Sequence, residues 1–223
     1  MGLFGVVDSA FLAANSLKIA DGGWFPLTIG AVIASLIWCW RRGSSEVRRR
    51  LHEMSMPVET FLERIDDMVV GRPAGMAVWL TKVEHGISPM ILHHVRHNAV
   101  LHQRVVLMTV ATDRRPRVPF QERHSVRKLG HGFYHITVRL GFMQRPDIPL
   151  TLENCSLLGF DADLEHVHYF IGHETVVRRA EGPRMGRVPF GVFAFLTKIA
   201  GRAPDFFRIP GDGLSEVGFR VEI

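Results

Sequence analysis

Three histidines crowd one short stretch: His93, His94 and His97. His93 and His97 stand four apart, so on a helix they share a face, as zinc ligands do. A zinc-protease helix carries a glutamate directly after the first of the pair. Here that position is His94, and nothing in the pattern marks another carboxylate as the base. A surface or hydrogen-bonded role is the plainer reading, and no metal is expected. Arg114, Arg115 and Arg117 surround Pro116 in a basic loop able to touch lipid phosphates or a nucleotide, although solvation alone accounts for such a loop. The chain contains neither G-x-x-x-x-G-K nor G-x-G-x-x-G, so no phosphate cradle is written in it and no cofactor is expected. Cys155 beside Asn154 has no recognisable base arrangement, so no catalytic residue is assigned.

The remaining chemistry sits in an apolar setting. Asp8 and Asn15 fall two turns apart on one face of a mostly apolar segment, residues 3–17. A carboxylate at membrane depth is expensive and normally faces a bundle interior with a partner, which this chain does not obviously offer. Asp8 and Asn15 are therefore the candidate intramembrane polar positions.

The element that positions them is the next one. Residues 24–40, WFPLTIGAVIASLIWCW, carry no charged side chain, and as a helix they measure roughly 25 Å, inside the working range for a membrane span. Pro26 falls in the first turn, where its missing N–H costs nothing. Trp24 marks one end and Trp38 and Trp40 the other, at the level where such rings settle among headgroups. Arg41, Arg42 and the run Arg48, Arg49, Arg50 follow, which by the positive-inside bias puts the chain after Trp40 in the cytoplasm. Lys18 to Gly23 then reads as a tight outer connection between two helices, about 3–17 and 24–40, with both termini cytoplasmic.

Length and charge agree with that division. A chain of 223 residues holds an anchor plus one domain of ordinary size. The net charge of +5 and pI near 9.8 resemble a nucleic-acid signal, but much of the excess sits just inside the membrane, where anionic lipid attracts it, so no nucleic-acid partner is expected. Cys39 and Cys155 lie in different environments and suggest no disulfide.

After residue 43 comes an amphipathic linker, 44–70, in one or two pieces about Pro57, with Val58, Phe61, Leu62 and Ile65 at helical spacing. Residues 71–223 follow as a cytosolic domain. Buried strands are predicted at 76–81, 104–109 and 166–171, a hairpin over 123–140 turning at Gly130, and a last strand at 214–223. Helices are predicted at 89–101, capped by Ser88, at 147–158 and at 189–200. The fold class is an α/β domain with a mixed sheet, preceded by a short transmembrane helical hairpin.

Taken in order, several phrases resemble the KUP/HAK/KT potassium uptake permeases: DSAFLAANSLKIADGGWFP at 8–26, LHHVRHNAVLHQRVVLMT at 92–109, GHGFYHITVRLGFMQRPDIP at 130–149 and YFIGHET at 169–175. The resemblance covers nearly the whole chain, but only that family's last transmembrane segments and cytosolic tail. It implies proton-coupled potassium uptake by the complete protein in the inner membrane, and for this chain a C-terminal piece whose potassium and proton positions lie elsewhere. Membrane lipid is the implied neighbour, and a homodimer through the cytosolic domain is expected from the frequency of two-fold assemblies. The alternative is a membrane-tethered regulatory module that binds a ligand or partner.

Overall fold

Apolar side chains lie on the outside along one long helix and on the inside of one sheet, and these two arrangements define the molecule. In a computed structural model, residues 2–16, 22–83, 86–156, 160, 166–178, 185–200, 207–211 and 213–223 are described. The elements are α1 (Gly2–Ser16), α2 (Trp24–Met54), α3 (Val58–Glu63), α4 (Ile65–Met68), β1 (Met76–Leu80), α5 (Pro89–Asn98) and β2 (Arg104–Asp113). They continue with α6 (Phe120–Arg123), β3 (His124–Gly130), β4 (Phe133–Gly141), α7 (Ile148–Ser156), β5 (Val167–Val177), α8 (Arg187–Ile199) and β6 (Leu214–Glu222). They form two compact units, Met1–Ser45 with Met185–Lys198, and Glu46–Arg184 with Ile199–Ile223.

In the first unit α1 and the apolar part of α2 expose nearly every side chain. Their hydroxyls turn back onto their own backbone: Ser9 donates to the Gly5 carbonyl, Ser16 to Leu12, Thr28 to Trp24 and Ser35 to Ala31, at 2.7 to 2.9 Å. Such bonds satisfy a hydroxyl within its own helix, without water. Of the outer connection expected at 18–23, only Gly22 and Gly23 are described, in a turn; the rest lies outside the described residues. One described helix, Trp24–Met54, is long and apolar enough to cross a membrane.

The basic segment is not a separate helix. The sequence suggests a new start near Ser44, whereas α2 runs unbroken to Met54. Residues 41–54 contain no proline, and Arg49 pairs with Glu46 and Glu53 at helical spacing. The break comes only before Pro57, which disfavours helix in the residue it follows. There Met56 exchanges backbone hydrogen bonds with Ile87, at 2.7 and 3.2 Å.

In the second unit the sheet has the order β3-β4-β2-β1-β5-β6, parallel except for the β3–β4 hairpin. The mixed sheet read from the sequence is present. Gly130, His131 and Gly132, all with positive φ, make its hairpin turn. One face of the sheet packs Ala77, Trp79, Val105 and Leu107 against Val58, Phe61 and Ile65 of α3 and α4 and Ile91 and Val95 of α5. The other packs Met76, Val78, Val106 and Met108 against Ile148, Leu152 and Cys155 of α7. At α5 the expected Ser88 cap fails: the Ser88 backbone carbonyl, not its hydroxyl, accepts from the N–H groups of Ile91 and Leu92. The hydroxyl is buried without a partner among the described residues.

Candidate functional site

In an open parallel sheet, ligands collect outside the carboxyl ends of the strands, at the point where strand order reverses. From β1 the chain moves out to β2 and β4 on one side, then returns to β5 and β6 on the other. The reversal therefore lies at the carboxyl ends of β1 and β5. Here the Thr81 N–H donates to the Met108 carbonyl at 2.9 Å, and the Val83 N–H to Thr81 Oγ1 at 3.0 Å. Thr109 Oγ1 donates to the Val83 carbonyl at 3.4 Å and lies 3.2 Å from His135 Nε2. Lys82 Nζ crosses from the end of β1 to Glu174 on β5 at 2.7 Å. Neither Lys82 nor Glu174 stands out in the sequence, because their meeting depends on the strand order.

A cavity of about 340 Å³ opens at the carboxyl ends of β2 and β4, lined by Val110, Thr112, Leu140, Phe142, Gln144 and Arg145. Gln144 shapes it. Its Oε1 accepts from the N–H groups of Val118 and Gly141, both at 2.9 Å, tying the loop after β4 to the loop after β2. The basic loop borders a neighbouring recess through Arg114, with Arg139. Arg115 is committed elsewhere, to Asp113 at 3.0 Å and Glu122 at 2.9 Å. Its hydrogen bond holds the Asp113 carboxyl below the usual carboxylate range. Arg117 is exposed on the same loop.

The histidines sit on α5. His93 and His97 share a face with ring centres 4.4 Å apart, as their spacing predicts. His94 turns instead to the aromatic stack of Trp79 and Phe170, 5.0 and 5.5 Å from their rings. Burial pushes its pKa below the ordinary imidazole value, as it does for His102, which lies 5.0 Å from His168. Among the described residues no three His, Cys, Asp or Glu side chains gather as a metal site. Cys155, on the core-facing side of α7, is buried, and burial raises its thiol to about 11, since apolar surroundings disfavour the thiolate.

Asp8 and Asn15 lie exposed on α1. The Asn15 amide donates to the Phe11 carbonyl at 2.9 Å. Asp8 makes no hydrogen bond or ion pair among the described residues.

The family described as K+ potassium transporter C-terminal domain matches residues 74–223, and that described as K+ potassium transporter integral membrane domain matches residues 1–45. A "probable potassium transport system protein Kup 2" of Chromobacterium violaceum is 39% identical over 221 residues, covering 99% of this chain and 35% of that protein. A "Kup 1" counterpart of Rhodopseudomonas palustris is 39% identical over 223 residues, covering 100% of this chain and 36% of the relative. One from Aromatoleum aromaticum is 40% identical over 223 residues, covering 100% and 35%. The chain thus spans about a third of the length of these curated relatives. No solved structure matches it.

Proposed function

We propose that this chain, which belongs to the K+ potassium transporter family, supplies the membrane-anchoring and cytosolic part of a proton-coupled potassium uptake transporter. The observation that carries the reading is α2. Its uncharged run ends at tryptophans, with Arg42 stacked over the Trp38 ring at 6.0 Å. The same helix then continues without a break toward the domain matched at residues 74–223. A span so anchored, with arginines immediately after it, supports two cytoplasmic termini and anionic lipid as a neighbour. Two apolar helices do not enclose a multi-ligand cation path, so the chain alone does not transport. Asp8, without a partner among the described residues, fits a face that meets further helices. The sheet unit acts without enzymatic chemistry, and pairing with a second copy is its natural assembly.

The test is a chimera. The matching third of the Chromobacterium violaceum relative is replaced by this chain in a cell deficient in potassium uptake. The chimera restores growth at low potassium and takes up rubidium; this chain alone does neither. A chimera that inserts stably yet takes up no rubidium, or uptake by this chain alone, refutes the reading. The cavity beside Gln144 favours the second reading, a ligand-binding regulatory module. Under it, filling the cavity by Thr112→Trp leaves the chimera's insertion intact and changes only the control of uptake.

A further inference from the structure

Helix α8, RVPFGVFAFLTKI, is apolar on two opposite faces, and only one is covered. Phe193 is 3% exposed. Its ring lies 5.6 Å from that of Trp40 and directly over Gly43, where even a methyl group would collide with it. Glycine at position 43 thus lets α8 seat against α2. At 100° per residue the opposite face carries Val188 and Phe195, with the half-buried Val192 on its flank. Val188 is 76% exposed and Phe195 63%. The one hydroxyl of the helix, on Thr197, lies toward the Phe193 side and donates to the Phe193 carbonyl at 2.8 Å. This is the reverse of a helix on a water-facing surface, which turns its polar stripe outward.

The place of the seat says what covers the open face. Gly43 comes one turn after Trp40, and Trp40 closes the uncharged run at the level where tryptophan rings meet headgroups. Arg41 and Arg42 lie at the same level of α2, and α8 itself has Arg187 and Lys198 at its ends and no acidic residue. An apolar stripe bordered by cations, held at headgroup depth, is the pattern of a helix lying in the membrane interface.

We propose that α8 is an interfacial membrane helix, with Val188, Val192 and Phe195 in the boundary between headgroups and acyl chains and Arg187 and Lys198 directed to lipid phosphates. The proposal rests on the reading of α2 as a spanning helix, and its test separates the two. The full chain is reconstituted into vesicles of phosphatidylcholine with a minority of phosphatidylglycerol. Single cysteines are introduced as Ile33→Cys, Val188→Cys, Phe195→Cys and Lys128→Cys and spin-labelled. Both native cysteines are buried, so the unsubstituted chain serves as the labelling blank. Collisions with oxygen and with a water-soluble nickel chelate are then compared.

The expected result is a severalfold preference for oxygen at positions 188 and 195, intermediate between Ile33→Cys, deepest in lipid, and Lys128→Cys, in water. Labels at 188 and 195 as accessible to nickel as that at 128, with 33 still in lipid, overturn the proposal and leave the span standing. Immobilised labels reached by neither reagent show a protein surface over α8 and also overturn it. Nickel access at 33 removes the span and the proposal together. Gly43→Val, which leaves the labelled residues untouched, should unseat α8 and raise label mobility at 195; unchanged mobility refutes the docking at Gly43.

Discussion

Phe11 on α1 is 72% exposed and Ile33 on α2 is 51% exposed, whereas Phe61 and Ile65 beneath the sheet are sealed from solvent. The residue types are the same, and the backbone that presents them differs little between α2 and α3. What differs is where polar atoms go. In α1 and α2 the hydroxyls of Ser9, Ser16, Thr28, Ser35 and Ser45 return to their own helix, while across the sheet polar contacts join distant segments, as Gln144 does to Val118 and Lys82 to Glu174. An element whose solvent is lipid satisfies its polar groups internally and spends apolar surface outward. An element in water buries apolar surface, and that burial carries its stability.

The largest effect that separates the two regions is truncation of a large apolar side chain. Trp79 is fully buried, stacked on Phe170 with ring centres 4.0 Å apart. Trp79→Ala should destabilise the sheet unit by about 3–5 kcal/mol, since the cavity it leaves is walled by strands that cannot collapse. Urea unfolding followed by circular dichroism reads this directly. Ile33→Ala, by the same measurement in micelles, should leave that transition unchanged. A similar loss from both would abolish the distinction.

A charge gives the converse test. Ile33→Lys, near the middle of the uncharged run, should cost about 2.5–3.5 kcal/mol in membrane insertion. Alkaline extraction and a glycosylation reporter would show a falling inserted fraction. Full insertion of the variant would mean that position 33 faces water or protein, not lipid.

Much of the sheet was legible in the sequence, and the reason shows where legibility stops. The short apolar runs at 76–80 and 105–109 announce buried strands because both faces of each are covered. β2 nevertheless continues to Asp113 and β5 to Val177, beyond the predicted ends. Those extensions pair on one side only, Val110 to Asp113 with β4 and Gly172 to Val177 with β6, so their sequence loses the apolar signal while the ladder goes on. The histidine pair on α5 was readable from spacing alone. The reversal of strand order at β1, and hence the Lys82–Glu174 meeting, was not, and neither was the cavity that β2, β4 and the loop of Gln144 line, because each joins residues from separate segments. For α8 the spacing gives two apolar faces, and only the collision at Gly43 says which one is covered.

A third effect is confined to the sheet unit. Burial lowers the pKa of His94 and of His102 below the ordinary 6.5, with neighbouring histidines adding to the shift. The unfolded chain therefore takes up these protons first as pH falls. Stability is full above 6.5, declines below it, and levels off beneath the depressed folded values. The urea midpoint of the sheet unit should fall on acidification through this window, and His94→Gln with His102→Gln should flatten the slope. An unchanged slope would show that the charged imidazoles are accommodated by the fold.

The smallest effect belongs to the ion pair at the strand-order reversal. Lys82 is well exposed and Glu174 only partly so, which leaves their 2.7 Å contact open to water on one side. Attraction across such a pair is largely offset by solvent and by the side-chain freedom it removes, so Lys82→Met should shift stability by less than about 1 kcal/mol. Glu174→Gln should cost about as little, because its amide oxygen still accepts from Lys82. Added salt should shrink even that difference, since screening acts on exposed charge. A double-mutant cycle in urea, run at low and at high salt, measures the coupling itself. A coupling well above 1 kcal/mol that resists salt would place the pair in a dry crevice and make the carboxyl ends of β1 and β5 a built site instead of a solvated rim.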